Sequence, residues 1–416
     1  MKPCPSCGTE IVIDEGYPIW CEKCEWNVTI PTNERRATSW EQMEMKMRHS
    51  YGQSLFKELQ KHPDLLTKKG MSERVASMFS LVIICCSVVG FLLSLYGLIN
   101  WYSSPLIVIS CVLILLIAWL SRPRPNAFPK KVILLNSDQH PNAMKLFETI
   151  TEKMGIKKGI QFALSPHYQA YTTEYGWSRK RIVVIGYPLF FACKPGELTA
   201  LLAHELAHCR NNDVRRSGLV AHAYQILLNW CDMLDPVKND EEEFHYSFLA
   251  MLSRGIMRLL FCIPHRLLSV LIHLFWNQSQ RAEYEADRLA AQLAGSQQLI
   301  SLLHIVHLKN VYEALIGRHS IQKQSKSLGE ALHETFSNIP PKEKARIQRM
   351  LERNQDSMDT THPATHLRIA MLQRNDVSPL YEIPEGEYER VYQEITKHTQ
   401  EKMEHRMIDD YRAQLS

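Results

Sequence analysis

Seven side chains of this sequence have the types and spacing for metal chemistry. His204, Glu205 and His208 fit H-E-x-x-H inside "LTALLAHELAHCRNND", and Cys4, Cys7, Cys21 and Cys24 form C-x2-C-x13-C-x2-C. On a helix, histidines four apart lie on one face and can each turn a ring nitrogen to one metal. Glu205 sits about 100° round the helix from His204, where it can reach a water without ligating the metal. That spacing suits zinc-assisted hydrolysis, which needs a third protein ligand and leaves a fourth position for water. A single short pattern in 416 residues can arise by chance, so its context has to decide. The cysteines suit a different task. Two C-x2-C turns supply four thiolates to one tetrahedral Zn2+, and a segment this small needs a metal to fold, so residues 1–40 read as a zinc ribbon. Six acidic against four basic residues in that stretch argue against nucleic acid and for a structural or protein-docking module.

The third ligand of the histidine pair must lie elsewhere. In the extended pattern H-E-x-x-H-x-x-G-x-x-H the glycine and last histidine would fall on Asn211 and Val214, which excludes it. The segment "NQSQRAEYEADRLAAQLAG" carries Glu283 and Asp287 on one helical face beside Ala282, Ala286, Ala290 and Ala294. Ala200, Ala203 and Ala207 make a matching small face beside the histidines. Small faces let two helix axes approach closely enough for a carboxylate oxygen to reach a zinc, so Glu283 is the expected third ligand. Asp287, one turn on, is placed to accept a hydrogen bond from a ligating imidazole. Glu285 points away and reads as a solvated carboxylate. Cys193 and Cys209 flank the histidine segment, and packing in an apolar interior is the stronger reading for both over ligation.

The surrounding elements set where such a centre would sit. The 416 residues, 45% hydrophobic and 22% charged, allow several folded parts, and a net charge of +4 without a basic arm gives no reason to expect a nucleic-acid partner. An odd eleven cysteines, four of them in the first 24 residues, point to reduced thiols rather than a secreted disulfide framework. "MKPCPSCGTE" lacks the apolar core of a signal peptide. Residues 41–74 read as a helical linker. Phe79–Ile99 is 21 residues without a charge, and Leu106–Leu120 follows a short turn, so residues 75–121 (about 79–99 and 101–120) read as a transmembrane hairpin. Trp101, Tyr102 and Trp119 fall where an interfacial belt would place them, and the flanking Lys68, Lys69, Arg74, Arg122, Arg124, Lys130 and Lys131 put both flanks in the cytoplasm. Further on, 219–234 is too polar to face lipid. Residues 247–276 are apolar, but Arg254, Arg258 and His265 share a face and Pro264 interrupts them, which suggests an interfacial or bundle-packed helix pair. Residues 122–375 would form the catalytic domain and 376–416 a polar, exposed helical tail.

Three blocks in order carry a resemblance: "RIVVIGYPLFFACKPGELTALLAHELAHCRNNDV", "RAEYEAD" and "THPATHLRIAML". Together they resemble the HtpX-like membrane zinc metallopeptidases, the family that also contains the type I CAAX prenyl proteases. The resemblance covers roughly residues 120–375, and the zinc ribbon is an addition to it. It implies an α+β, mainly α fold: a zincin-type (gluzincin) core with a small edge-strand sheet. It implies His204, His208 and Glu283 as ligands of a catalytic Zn2+ (the ribbon holding a second, structural one), Glu205 as general base and Asp287 beside the ligands. His362 would stabilise the oxyanion, and Arg368 would hold the ligand helix by pairing with Asp287. The strand Arg181, Ile182, Val183, Val184 and Ile185 would be the edge to which substrate adds. The implied protein is an integral membrane endopeptidase of a bacterial-type inner or plasma membrane, with ribbon and catalytic domain in the cytoplasm. It would cleave membrane or membrane-proximal polypeptides in quality control or processing. Its partners would be polypeptide substrates, the lipid bilayer and a protein for the ribbon. Two other readings are a zinc-ribbon adaptor with a vestigial peptidase fold and a prenyl-peptide protease. The latter branch encloses its site with several more membrane helices than this sequence shows.

Overall fold

The computed structural model describes residues 1–14, 17–28, 39–66, 71–120, 122, 126–157, 159–234, 248–321, 327–353 and 362–415. In chain order the elements are β1 (Lys2–Pro3), β2 (Glu10–Ile11), α1 (Ser39–Lys61), α2 (Met71–Asn100), α3 (Pro105–Leu120), β3 (Ile133–Leu134), α4 (Pro141–Lys153), β4 (Ile160–Ser165), β5 (Ala170–Tyr175) and β6 (Lys180–Gly186). Helices α5 (Tyr187–Ala192), α6 (Pro195–Asn211), α7 (Asp213–Leu234), α8 (Phe248–Ala294), α9 (Ser296–Val306), α10 (Lys309–Ile321), α11 (Leu328–Ser337), α12 (Pro341–Arg353), α13 (Thr365–Arg374) and α14 (Glu387–Leu415) follow. The chain divides into two units. One is Met1–Leu66, Asn126–Asn212 and Ala282–Ser416; the other is Thr67–Pro125 and Asp213–Arg281. The expected domain 122–375 is therefore interrupted, because residues 213–281 cluster with the apolar helices.

The first unit is built on a four-stranded sheet of order β3-β4-β6-β5, with β4 and β6 parallel and the outer pairs antiparallel. This corrects the expectation for Arg181–Ile185. They lie in β6, which has a neighbour on each side, and Ile182 to Ile185 are fully buried. A strand already bonded along both edges has no backbone groups left to offer a substrate. The edges are β3 and β5, and β5 runs beside α6. Under the sheet, Phe147, Phe162, Leu198, Leu202, Leu206, Leu299 and Leu332 belong to one continuous core.

Two segments expected to be peripheral are part of this unit. The last helix, α14, is no exposed tail, because Val391, Ile395, Thr399, Met403 and Met407 fall every four residues and are buried. So narrow a stripe is masked by the charges on the other faces. On α1, Leu55 and Leu59 pack with Tyr284 of α8 and Met371 of α13, so the presumed linker supports the helix that carries Glu283. The ribbon lies on α12. Arg346, itself buried, pairs with buried Glu343 and donates to Val28 O at 2.7 Å, while Arg349 donates to Glu22 O and sits over Trp20. One face of the ribbon is thus taken by its own chain.

In the second unit, Ala76 and Ile83 of α2, Val220, Ala223, Ile226 and Leu227 of α7, and Leu268 and Leu271 of α8 share an apolar cluster. At Gly97 a Cβ would lie 2.7 Å from Cys111 Sγ, so glycine lets α2 and α3 approach there. Glu73–Asn100 and Arg258–Ala294 are long and apolar enough to cross a membrane, whereas Pro105–Trp119 is a shorter apolar helix. Residues 248–276 form no helix pair, because α8 continues through Pro264. One lost hydrogen bond at the proline is outweighed by the packing of Leu268 and Leu271 a turn or two later. Ser247 and the Arg254 side chain lie outside the described residues.

Candidate metal centre

Helix α6 starts at Pro195, whose missing N–H costs nothing in a first turn, and Glu197 accepts from Lys194 N at 2.6 Å. It ends where Asn212 adopts the left-handed conformation, φ 56°. Ser301 of α9 donates to Glu197 at 2.6 Å, which fixes the helix against its neighbour. Between these anchors Ala200, Ala203 and Ala207 are fully buried, as are Ala286 and Ala290 of α8.

His204 Nε2 and His208 Nε2 stand 3.4 Å apart, His204 Nε2 is 3.5 Å from Glu283 Oε2, and His208 Nε2 is 3.4 Å from Glu283 Oε1. Ligand atoms each about 2.1 Å from a tetrahedral zinc are about 3.4 Å from one another, so the three groups fit that ion. In the ribbon, Cys4 Sγ and Cys24 Sγ are 3.6 Å apart, as are Cys7 Sγ and Cys21 Sγ. Thiolates about 2.3 Å from zinc would be about 3.8 Å apart, so this set fits a closed structural site.

Around the histidine centre the charges are ordered in layers. Asp287 Oδ1 lies 3.1 Å from His204 Nδ1, which leaves Nε2 as the ligating nitrogen. Arg368 of α13 grips Asp287 through Nε at 2.7 Å and a terminal nitrogen at 2.6 Å, both residues being buried. Burial works against the Asp287 carboxylate, but Arg368 prevails and holds its pKa down to about 2. Burial likewise disfavours a charged His204, yet Asp287 and Glu283 outweigh it and push its pKa up to about 10. The field that draws a proton to His204 would equally draw a metal cation. Glu283 is desolvated too, but His362, His204 and His208 keep it well below the usual carboxylate range. His362 Nδ1 is 2.7 Å from Glu283 Oε2.

Glu205 is buried beside this set. Its Oε2 accepts from Thr172 Oγ1 at 3.0 Å, and the same hydroxyl lies 3.0 Å from its backbone oxygen. Thr172 is on the edge strand β5, so one side chain joins the base to that edge. His204, Glu205, His362 and Arg368 line a cavity of 690 Å3 whose walls include Tyr168, Leu201, Leu303, Tyr312 and Met407. His307 lines it too, and its Nε2 is 2.7 Å from Thr365 Oγ1 at the start of α13. Burial, with Arg368 and His304, lowers its pKa to about 4. Neither Thr172 nor His307 stood out in the sequence, since nothing local marks a residue that acts through a distant contact. Cys193 and Cys209 are buried in the core cluster, and Glu285 pairs with Arg288 at 2.7 Å.

The profile of Peptidase family M48 matches residues 145–376, more than half of the chain. Protease HtpX of Pseudomonas putida (strain GB-1) is 28% identical over 173 residues, covering 38% of this chain and 54% of its own length. Protease HtpX of Acinetobacter baylyi is 26% identical over 242 residues, covering 52% and 76%. Protease HtpX of Pseudomonas fluorescens is 27% identical over 169 residues, covering 38% and 52%. The chain spans about half the length of most of these curated relatives.

Proposed function

The chain belongs to peptidase family M48, and from that premise we propose that it is a membrane-anchored zinc endopeptidase that hydrolyses peptide bonds of membrane or membrane-proximal proteins. The observation that carries the proposal is the tetrahedral spacing of His204, His208 and Glu283, 3.4 to 3.5 Å apart, with buried Glu205 adjoining them. Zinc, when bound, supplies Lewis acidity, making water acidic near neutral pH and drawing electrons from the scissile carbonyl. The residues do the rest. Glu205, oriented by Thr172, takes the proton of the attacking water and hands it to the leaving amine. His362, braced by Glu283, donates a hydrogen bond to the developing oxyanion. Asp287 and Arg368 keep His204 in the tautomer and direction that ligation needs.

Substrate adds as a strand to β5. Asn126 occupies the far end of that edge, donating to Glu174 O at 3.1 Å and accepting from Gly176 N at 3.0 Å, which leaves Ala170–Thr173 for the peptide. Main-chain pairing there gives affinity with little sequence selectivity, and the adjoining cavity accepts a side chain. Helices α2 and α3 anchor the protein as a hairpin that returns the chain to its starting side, so the ribbon and the catalytic unit both face the cytoplasm. The proposal is tested with Glu205→Gln in the full chain. It is expected to keep two zinc ions and its fold while cleavage falls by roughly 10²–10⁴. Full activity would sink the mechanism, and loss of the second zinc would sink the role given to Glu205.

A further inference from the structure

The turn between β5 and β6 is a tight one, with Arg179 N donating to Gly176 O at 3.2 Å and both Gly176 and Arg179 at positive φ, 69° and 48°. It thrusts Trp177 into the open, 82% exposed, and Ser178, Arg179 and Lys180 are exposed with it. A lone exposed aromatic needs no explanation. Here, however, Phe128, itself 43% exposed, meets Tyr175 edge-to-face at 5.0 Å, so three aromatic rings gather at this end of the sheet. Residues 126–131 and 174–180 hold Lys130, Lys131, Arg179 and Lys180 against a single acid, Glu174, and among the described residues Lys131 alone of the four is paired, with Asp410. The two stretches are joined by the Asn126 bonds to Glu174 and Gly176. Asn126 is the sixth residue after Leu120, the end of the apolar helix α3, so the aromatic tip is fastened to the chain that leaves that helix.

We propose that this hairpin tip is a membrane-interface anchor. Trp177, Phe128 and Tyr175 rest at the headgroup level of an anionic bilayer, and Lys130, Arg179 and Lys180 pair with lipid phosphates. Amphipathic rings beside cations are the composition that this zone selects. The anchor rests on the membrane reading above and deepens it. Thr172 lies three residues before the end of β5 and five before Trp177 in the turn, at most about 17 Å away, so strand addition on β5 takes place close to the lipid surface. The favoured substrates are then segments emerging from the bilayer, not loops far from it.

The test uses the full chain carrying Glu205→Gln, reconstituted in vesicles of phosphatidylcholine and phosphatidylglycerol, with and without Trp177→Phe. The difference between the two emission spectra isolates Trp177. Its emission is expected to be quenched by lipids spin-labelled near the headgroup and shielded from aqueous acrylamide. Arg179→Glu together with Lys180→Glu is expected to raise acrylamide access about fivefold or more. Acrylamide quenching equal to that of a free indole derivative would overturn the proposal. Shielding without any quenching by lipid would overturn it too, because a protein rather than a membrane would then cover the tip. Neither readout depends on proteolysis, so failure of the anchor and failure of the peptidase reading are separable.

Discussion

Replacing Arg368 with alanine isolates the interaction that holds the metal ligands in register. Asp287 keeps its charge in a buried site because Arg368 meets it with two hydrogen bonds of 2.6 and 2.7 Å. Its pKa is held at about 2 against an ordinary 3.8. The contribution of a depressed carboxylate is fully present above its unfolded pKa and disappears as the pH falls through the folded one. Near neutral pH, at roughly 1.4 kcal/mol per unit, that difference is worth about 2 kcal/mol. Truncation does more than remove an attraction, because it leaves a desolvated carboxylate beside His204. Breaking a buried pair from one side costs about 3–5 kcal/mol. We therefore expect Arg368→Ala to lose between about 2 and 5 kcal/mol of stability at pH 7. The stability gap to the parent should narrow as the pH falls from 4 towards 2, where Asp287 takes a proton in both. Adding Asp287→Asn to Arg368→Ala should recover part of the loss, since no uncompensated charge then remains. The assay is urea denaturation of the detergent-solubilised chain, with and without a zinc chelator. A loss below about 0.5 kcal/mol, or a double variant less stable than Arg368→Ala, would refute the reasoning.

Three further outcomes follow from the same contacts. Thr172→Ala deprives Glu205 of a hydrogen bond worth about 1 kcal/mol, so kcat on a peptide should drop about fivefold with KM little changed, as steady-state kinetics would show. Cys4→Ser with Cys7→Ser should lower bound zinc from two ions per chain to one by elemental analysis, and should expose the α12 surface that Arg346 and Arg349 hold against the ribbon to limited proteolysis. His307 is buried in its neutral form with a pKa of about 4, so the unfolded chain binds a proton there between pH 6.5 and 4 while the folded chain does not. Stability should therefore fall by about 3 kcal/mol as the pH drops through that window, and His307→Gln should flatten this part of the denaturation profile.

The local features of this protein are determined by its sequence. The spacing of His204, Glu205 and His208, the face shared by Glu283 and Asp287, the four paired cysteines and the uncharged run in α2 all rest on the geometry of a single helix or turn. Such patterns can be read without knowing what lies across from them. The pairing of Arg368 with Asp287, expected from the resemblance, is likewise what the structure contains. Tertiary structure decided which strand is the edge, and here the sequence held a clue of its own. "RIVVI" is a run without alternation, as in a strand covered on both faces, whereas "AYTTEY" mixes polar and apolar residues as an edge does. Tertiary structure also put α14 in the core, where one residue in four suffices when the neighbours are α10 and α11. It set the ribbon on α12, let α8 run unbroken through Pro264, and brought Thr172 to Glu205 across 33 residues. These arrangements depend on pairings between segments far apart in the chain. Their free energy belongs to the contact, and no residue type on either side announces it alone.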